Sequence, residues 1–296
     1  MSMLDSQEAF EVSVVIPVFA DPEGLGRCLD ALDRQTCREF EVVVVDNGSP
    51  QPLAAPSGRS FPIRLVVCAT PGSYAARNAG VAVAQGAVLA FTDADCVPED
   101  QWLASGLAAL RRAGGEVVVG GEVQYVMPEQ RTGTALYQVF AGFRQGEIVA
   151  ARKFAATANL FCTRAVFDQV GRFDERVFSG GDSEWCWRAA YRGYQTVFAP
   201  EAVVRTLPRQ RLGAAVRQAR RVAAGRARLA ALQLPWVGSV GLQSIRSPLQ
   251  GLRLVMQSSD LTLVDRVRVV AAASAIRFVA SLESLRLRLG GTDERR

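Results

Sequence analysis

A regular alternation of short β-branched runs with helix-forming segments over the first 120 residues constrains the fold most. The runs have the valine-rich composition of strands that are buried on both faces of a sheet. The predicted strands span residues 12–18, 40–45, 63–68, 87–92 and 116–119, and the predicted helices span residues 22–34, 73–85 and 99–112. This order is typical of a doubly wound α/β sheet, in which ligands bind outside the carboxyl ends of the strands.

Three of these strands end in residues that can contact a ligand at that edge. The first strand ends near Pro17 and Phe19, the second at Asp46, and the fourth at Asp93 and Asp95. Asp46 can start the turn after its strand, or it can accept hydrogen bonds from a base or ribose. The sequence leaves both roles open.

Asp93 and Asp95 are separated by one residue and follow a buried strand. Within a strand their side chains would diverge, but a turn at the strand end can direct both to one ligand. Carboxylate oxygens suit Mg²⁺ or Mn²⁺, which usually retain water and bind substrate phosphates. The pair therefore predicts a metal site, with a solvated acidic loop as the alternative.

Two further charged segments lie on predicted helices. Arg77 and Asn78 belong to residues 73–85, where the Arg can bind a diphosphate or form a surface salt bridge. Asp182 and Glu184 follow two glycines and open a later helix, where an acid can favour the helix dipole or act as a general base. Between residues 122 and 206 we also predict a helix over 132–145 and a strand over 157–162.

Composition excludes several kinds of chemistry. The chain has no His, so it cannot form a Ser-His-Asp triad or a His-containing zinc site, and a carboxylate is the best candidate for a general base. Its six Cys form no CxxC pair, which indicates buried, reduced thiols. These thiols, the lack of a signal peptide and the lack of an apolar run of about 18 residues predict a cytoplasmic protein without a membrane span.

Charge is distributed unevenly along the chain. Residues 1–206 carry 18 basic and 24 acidic side chains, a net charge of −6, whereas residues 207–296 carry 16 and 5, a net charge of +11. The basic part is predicted to form amphipathic helices, one of them over 263–288. Their apolar stripes comprise Leu212, Val216, Ala219, Ala223 and Ala230 in the first helix and Val267, Ala271, Phe278, Leu282 and Leu285 in the second.

The sequence leaves two locations of this basic extension open. Its basic faces can be solvated while it packs on the acidic domain, or it can contact an anionic membrane surface. Nucleic acid is not an expected partner, because the Arg residues are not interleaved with aromatic ones.

Seven short segments carry a resemblance to a known family. They are Val14–Phe19, Val43–Ser49, Ala76–Gly80, Phe91–Asp95, Ala158–Phe161, Gly171–Glu175 and Ser179–Trp185. In this order and spacing they resemble the family-2 glycosyltransferases of the GT-A fold. The resemblance implies an α/β fold with a Rossmann-like mixed sheet flanked by helices. It implies a catalytic domain over 1–206, with a nucleotide-sugar-binding half at 11–120 and an acceptor half at 121–206, followed by the basic helical extension at 207–296.

The resemblance also implies inverting transfer of a sugar from a nucleotide-diphosphate sugar to a hydroxyl group, with Mn²⁺ or Mg²⁺. By position, Phe19 and Asp46 would hold the base, and Arg77 would lie near the base or diphosphate. Asp93 would contact the ribose and Asp95 the metal, while Asp182 would be the catalytic base. The other expected substrate-binding residues are Pro17, Asn78, Asn159, Glu184 and Trp185.

The expected acceptor is a glycan or a lipid-linked glycan of cell-envelope or exopolysaccharide synthesis, reached at the inner face of the cell membrane. One departure from the family is Thr206, where many members have a His near the metal. Arg205 or Arg209 could hold the diphosphate instead.

Two other functions are weighed against this one. A sugar nucleotidyltransferase usually has a Gly-rich loop with Arg and Lys after the first strand, which residues 19–22 lack. A non-catalytic scaffold that docks on a membrane is disfavoured because Asp93, Asp95 and Asp182 are all present.

Overall fold

The computed structural model describes residues 11–237 and 255–291. Within them, eight strands form one mixed sheet in the order β3-β2-β1-β4-β7-β6-β8-β5. The strands are β1 Val12–Val18, β2 Phe40–Asp46, β3 Ile63–Val67, β4 Val88–Thr92, β5 Cys96–Pro98, β6 Val117–Tyr125, β7 Asn159–Thr163 and β8 Gln195–Thr206. The helices are α1 Pro22–Leu32, α2 Ser73–Val83, α3 Trp102–Arg112, α4 Gly133–Ala141, α5 Gln145–Arg152, α6 Arg164–Val170, α7 Gly181–Tyr191, α8 Leu212–Ala231 and α9 Leu263–Arg288.

The first half of the sheet confirms the predicted parallel α/β pattern. β1 pairs in parallel with both β2 and β4, and β2 pairs in parallel with β3. Every residue of β1 and β2 is buried, because helices cover both faces of these strands. The carboxyl ends of the strands coincide, since Val18 lies opposite Asp46. This register places the ends of β1, β2 and β4 along one edge.

The second half of the sheet is mixed. β7 runs antiparallel between β4 and β6, and β6 is parallel to the long β8. The helix predicted over 132–145 is wrong in its extent, because α4 ends at Ala141 and α5 begins at Gln145. Gly142 and Arg144 have positive φ angles, +67° and 57°, which interrupt the helix and separate α4 from α5.

Helix α9 packs on the sheet domain through α4. Leu136 of α4, Leu261 and Val269 form a small apolar cluster between α4 and α9. The predicted bounds of α9 are confirmed, but its predicted apolar stripe faces outward, and Val269, Ala272 and Ile276 are buried instead. No helix among the described residues is long and apolar enough to cross a membrane.

The predicted stripe of α8 is wrong apart from Ala223. The buried residues of this helix are Ala215, Ala223, Gly225 and Leu229, so the packed face is rotated from the prediction. In the observed orientation, polar side chains of α8 face the sheet domain and line a cavity there.

Candidate active site

A cavity of about 330 Å³ lies beyond the carboxyl end of β4. Its lining brings together Asp93 and Asp95, which follow β4, and Asp182, from the first turn of α7. Residues of α2, α5 and α8 complete the walls. The structure therefore brings the three predicted acids to one site, although they are separated by almost 90 residues of sequence.

Asp93 is held by an ion pair with Arg77 of α2. The Arg77 side chain is only 4% exposed, and its Cζ lies 5.6 Å from the centroid of the Tyr74 ring. The Asp93 side chain remains 38% exposed, so part of it can contact a ligand. Arg77 thus acts in this structure by fixing Asp93. The sequence left a surface salt bridge open as one role of this Arg, but the pair is buried on the Arg77 side.

Asp95 lies beside Asp93 and near the cation of Arg209. Burial and then the negative charge of Asp93 raise the pKa of Asp95 to about 6, while Arg209 opposes the rise. The hydroxyl of Thr206 donates a hydrogen bond to the Asp95 carbonyl oxygen at 3.2 Å, so this residue fixes the backbone of the loop. Of the two predicted diphosphate ligands, Arg209 lines the cavity, whereas Arg205 pairs with Glu99 outside it at 2.6 Å.

The carboxylates fit a divalent cation that is shared with a substrate. No group of three or more His, Cys, Asp or Glu residues that could hold a metal ion occurs in residues 11–237 and 255–291. Asp95, with Asp93 beside it, offers only one or two carboxylate ligands. Mg²⁺ and related ions are commonly held in this way, with water and substrate phosphates as the remaining ligands.

Asp182 is oriented by two hydrogen bonds to a single oxygen. Its Oδ1 accepts a hydrogen bond from the Tyr74 hydroxyl at 3.2 Å and from the Ser183 backbone N–H at 2.8 Å. Burial raises the pKa of Asp182, and the Ser183 N–H, the charge of Arg77 and the Tyr74 hydroxyl oppose this rise. A carboxylate with a raised pKa is a stronger base, which suits proton abstraction.

The opposite wall of the cavity is basic. It contains Arg152 at the end of α5 and Arg221 and Arg226 of α8. Burial, and then the charge of Arg226, lowers the pKa of Arg152. We call these three residues the arginine wall, and Asp93, Asp95 and Asp182 the acidic wall.

Helix α8 lies directly against the segment that leads to Asp182. A Cβ at Gly225 would stand 2.1 Å from the carbonyl oxygen of Ser179, so the close approach requires glycine there. Leu229, one turn further on, packs with Trp187 of α7. The extension is therefore part of the cavity and not a separate appendage.

Two predicted substrate-binding residues do not line the cavity. Asn78 donates to the Phe173 carbonyl at 2.9 Å and accepts from the Phe173 N–H at 3.0 Å, which ties α2 to the loop before α7. Asn159 is fully buried, donates to two backbone carbonyls at 2.8 Å and accepts from Trp102 Nε1. Both side chains hold the scaffold together in this structure.

Glu184 and Trp185 are also directed away from the cavity. Glu184 is 1% exposed, forms a bidentate ion pair with Arg188 and accepts a hydrogen bond from Trp236 Nε1 at 2.9 Å. Trp185 is fully buried and stacks on Phe167, so it belongs to the core. Trp187, two residues further along α7, lines the cavity instead.

Pro17, Phe19 and Asp46 lie at the ends of β1 and β2, outside the lining of the cavity. Pro17 is buried within β1, and Phe19 is 53% exposed just after it. Burial would raise the pKa of Asp46, but hydrogen bonds from Ser49 and from the Leu53 N–H hold it below its usual value. This carboxylate therefore stabilises the turn after β2, and its contact with a base remains a prediction.

The main residues that sequence reasoning missed are Tyr74, Arg152 and Arg226. Tyr74 lies one helical turn before Arg77, so helical spacing could have placed it beside the acids. No local pattern could have identified Arg152 and Arg226, because they meet only through the packing of α8.

The chain is similar in sequence to known glycosyltransferases. A sequence model described as glycosyl transferase family 2 matches residues 13–170. Glycosyltransferase AglE of Haloferax volcanii is 38% identical over 200 residues, which cover 65% of each protein. Pre-mycofactocin glycosyltransferase of Mycobacterium tuberculosis is 30% identical over 204 residues, 66% of this chain and 42% of that protein. The aligned region is thus less than two thirds of either relative.

A solved structure shows the same fold. It is a mannosyltransferase, PcManGT, from Pyrobaculum calidifontis in complex with GDP-Man and Mn²⁺. The superposition has a TM-score of 0.60 and 20% sequence identity, and it covers 93% of this chain and 87% of the other.

Proposed function

This chain belongs to glycosyl transferase family 2 and has the GT-A fold, and on that premise we propose that it is an inverting glycosyltransferase. It moves a sugar from a nucleotide-diphosphate sugar to a hydroxyl group of a glycan or lipid-linked glycan in cell-envelope or exopolysaccharide synthesis. The observation that carries the proposal is the convergence of Asp93, Asp95 and Asp182 on one cavity.

The donor binds at the acidic wall. Asp93, fixed by Arg77, accepts hydrogen bonds from the ribose, while Asp95 holds Mn²⁺ or Mg²⁺ with the help of substrate oxygens. When bound, the metal would neutralise the charge that develops on the leaving diphosphate. Arg209 lies on the same side and adds a second positive charge near the diphosphate. The neighbour that is bound to GDP-Man and Mn²⁺ supports this donor class.

Asp182 takes the proton of the acceptor hydroxyl. Tyr74 and Ser183 both bind its Oδ1, and among the described residues none donates a hydrogen bond to Oδ2, which is left for the acceptor. The deprotonated oxygen then attacks the anomeric carbon opposite the diphosphate, so the configuration inverts.

Replacement of Asp182 by Asn tests this role with little change in shape. A panel of nucleotide sugars with Mn²⁺ is first screened for thermal stabilisation of the protein, which identifies the donor. We expect Asp182→Asn to keep this stabilisation and to lower the transfer rate by about 10²–10⁴, the contribution of a general base. Asp168→Asn, an exposed acid on α6, is the matched control.

Two outcomes would contradict the proposal. Transfer at the wild-type rate by Asp182→Asn would refute the assignment of the base. Stabilisation by none of the nucleotide sugars would refute the donor class.

We further infer that α9 contacts an anionic membrane surface at the inner face of the membrane. Its outward stripe is exposed at Val267, Phe278 and Leu285, and Phe278 has 65% of its surface accessible. By helical spacing, Arg268 and Arg277 lie on opposite sides of this stripe. Apolar residues between basic flanks are typical of helices that lie in the interface of an anionic leaflet.

Vesicle flotation tests this contact with the full chain. We expect Val267→Ser/Phe278→Ser to reduce recovery with vesicles of phosphatidylglycerol and phosphatidylcholine, while vesicles of phosphatidylcholine alone recover little of either protein. Val67→Ser, at a residue of β3 that is 73% exposed, controls for the loss of an apolar surface group. Equal recovery of the double variant and the wild type would refute membrane contact.

A further inference from the structure

The arginine wall has no role in the mechanism proposed above. The lining of the cavity contains five Arg and three Asp, so positive charge exceeds negative charge there. Arg77 pairs with Asp93, and Arg209 lies near Asp95. The excess therefore belongs to the wall formed by α5 and α8.

Arg152 and Arg226 lack acidic partners. Neither forms an ion pair with any residue of 11–237 or 255–291, and Arg152 Nη2 is a buried atom without a hydrogen-bond partner in that part of the chain. Some other arginines of the chain pair with acids, such as Arg131 with Asp265 and Arg59 with Asp33.

In the absence of a ligand this arrangement is costly for Arg152, because its Nη2 is buried without a hydrogen-bond partner among the described residues. Two cations face the same cavity, and burial together with their mutual repulsion lowers the pKa of Arg152. A bound anion would remove both penalties, because it would supply the missing acceptors and the opposite charge. A pair of guanidinium groups offers several N–H donors in fixed planes, which match the oxygens of a phosphate.

We propose that Arg152 and Arg226, assisted by Arg221, form a subsite for a phosphate group carried by the acceptor. This inference rests on the proposed function, because it assigns this end of the cavity to the acceptor. Gly225 contacts Ser179, three residues before Asp182, so the subsite is on the side of the catalytic base. Arg209, in contrast, is on the side of Asp95.

The neighbours of the subsite are partly apolar. Phe154, Trp187 and Leu229 line the cavity beside the arginines. An acceptor with a phosphate next to a sugar ring or a hydrocarbon chain would fill such a space. The phosphate can therefore come from a lipid monophosphate or from a sugar phosphate.

Calorimetric titration of the full chain with inorganic phosphate tests the subsite. The donor side is first saturated with the nucleoside diphosphate found by the thermal screen and with Mg²⁺, so that a second anion site is measured. We expect Arg152→Gln and Arg226→Gln each to weaken phosphate binding about tenfold, and Arg226→Lys to have intermediate affinity because it keeps the charge and loses the fork geometry. Arg228→Gln, an exposed residue of the same helix outside the cavity, is the matched control.

The outcomes separate the two proposals. No phosphate binding beside a bound nucleoside diphosphate, or equal affinity of Arg226→Gln and the wild type, would overturn the subsite and leave the donor assignment intact. If the wild type bound none of the nucleotides, the proposed function itself would be refuted. Titration with farnesyl phosphate and mannose 1-phosphate then distinguishes the sources, since the tighter ligand identifies a lipid or a sugar as the carrier.

Discussion

The two walls of the cavity differ in how their charges are satisfied. On the acidic wall, Asp93 is paired with Arg77, and Asp182 is held by Tyr74. On the arginine wall, Arg152 and Arg226 have no acidic partner among the described residues. The acidic wall is therefore preorganised before any ligand binds, whereas the arginine wall is completed only by an anion.

The largest expected effect comes from removing the cation site of the acidic wall. Asp95→Asn keeps the shape of the loop but replaces the carboxylate that we propose as the metal ligand, so we expect the affinity for Mn²⁺ to fall about 100-fold or more. Thermal stabilisation by nucleotide and Mn²⁺ together measures this loss. Phosphate binding at the arginine wall should be preserved. A parallel loss of both would show that the two walls are a single anion site.

The packing of α8 sets the position of the arginine wall. In Gly225→Ala the new Cβ would overlap the Ser179 carbonyl oxygen at 2.1 Å, so we expect the free energy of unfolding to fall by about 1–3 kcal/mol. Denaturant unfolding measures the change, and phosphate affinity should fall with it.

A second glycine of α8 is the control for this substitution. At Gly213→Ala the nearest atom outside the helix backbone is Arg217 Nη1 at 3.7 Å, an ordinary contact, so we expect a gain of up to about 1 kcal/mol from reduced chain entropy. Equal losses at both sites would mean that the Ser179 contact does not position the helix.

The smallest expected effect is on the pKa of Asp182 in the acidic wall. The Tyr74 hydroxyl lowers the pKa of Asp182, so Tyr74→Phe should raise it. Because the proposed base works as a carboxylate, the acid limb of the kcat/KM profile should move to higher pH. Tyr191→Phe, at an exposed residue, should leave the profile unchanged. A shift to lower pH would contradict the hydrogen-bonded geometry.

Sequence reasoning worked where structure is local. The buried runs of β1, β2 and β4 follow directly from their apolar pattern, and the acids at their ends follow from the parallel arrangement. The helix over 132–145 was predicted as one element because Gly142 was not recognised as its end. Helical propensity is a weak guide where residues with positive φ, here Gly142 and Arg144, redirect the chain.

Orientation was harder to predict than secondary structure. Glu184 and Trp185 lie on the predicted helix, yet both side chains are buried in the protein and do not reach the cavity. Successive positions on a helix point in different directions, so the side chains that follow Asp182 need not share its direction. The predicted apolar residues of α9 do share one face of the helix, but the sequence alone does not determine which face packs on α4. The arginine wall brings Arg152 and Arg226 to one cavity from positions more than 70 residues apart, and no local period encodes this approach.

The hydrogen bond between Trp236 and Glu184 gives this chain a spectroscopic handle. Trp102, Trp185 and Trp187 are buried, whereas the indole of Trp236 is half-buried and sits 5.9 Å from the Tyr191 ring. Its emission will therefore respond to the release of the segment after α8 from α7. Trp102 and Trp185 form a constant background, whereas Trp187 lines the cavity and packs on Leu229, so it reports on the same region. Undocking of the basic extension can be followed optically, without a label, during titration with vesicles or phosphates.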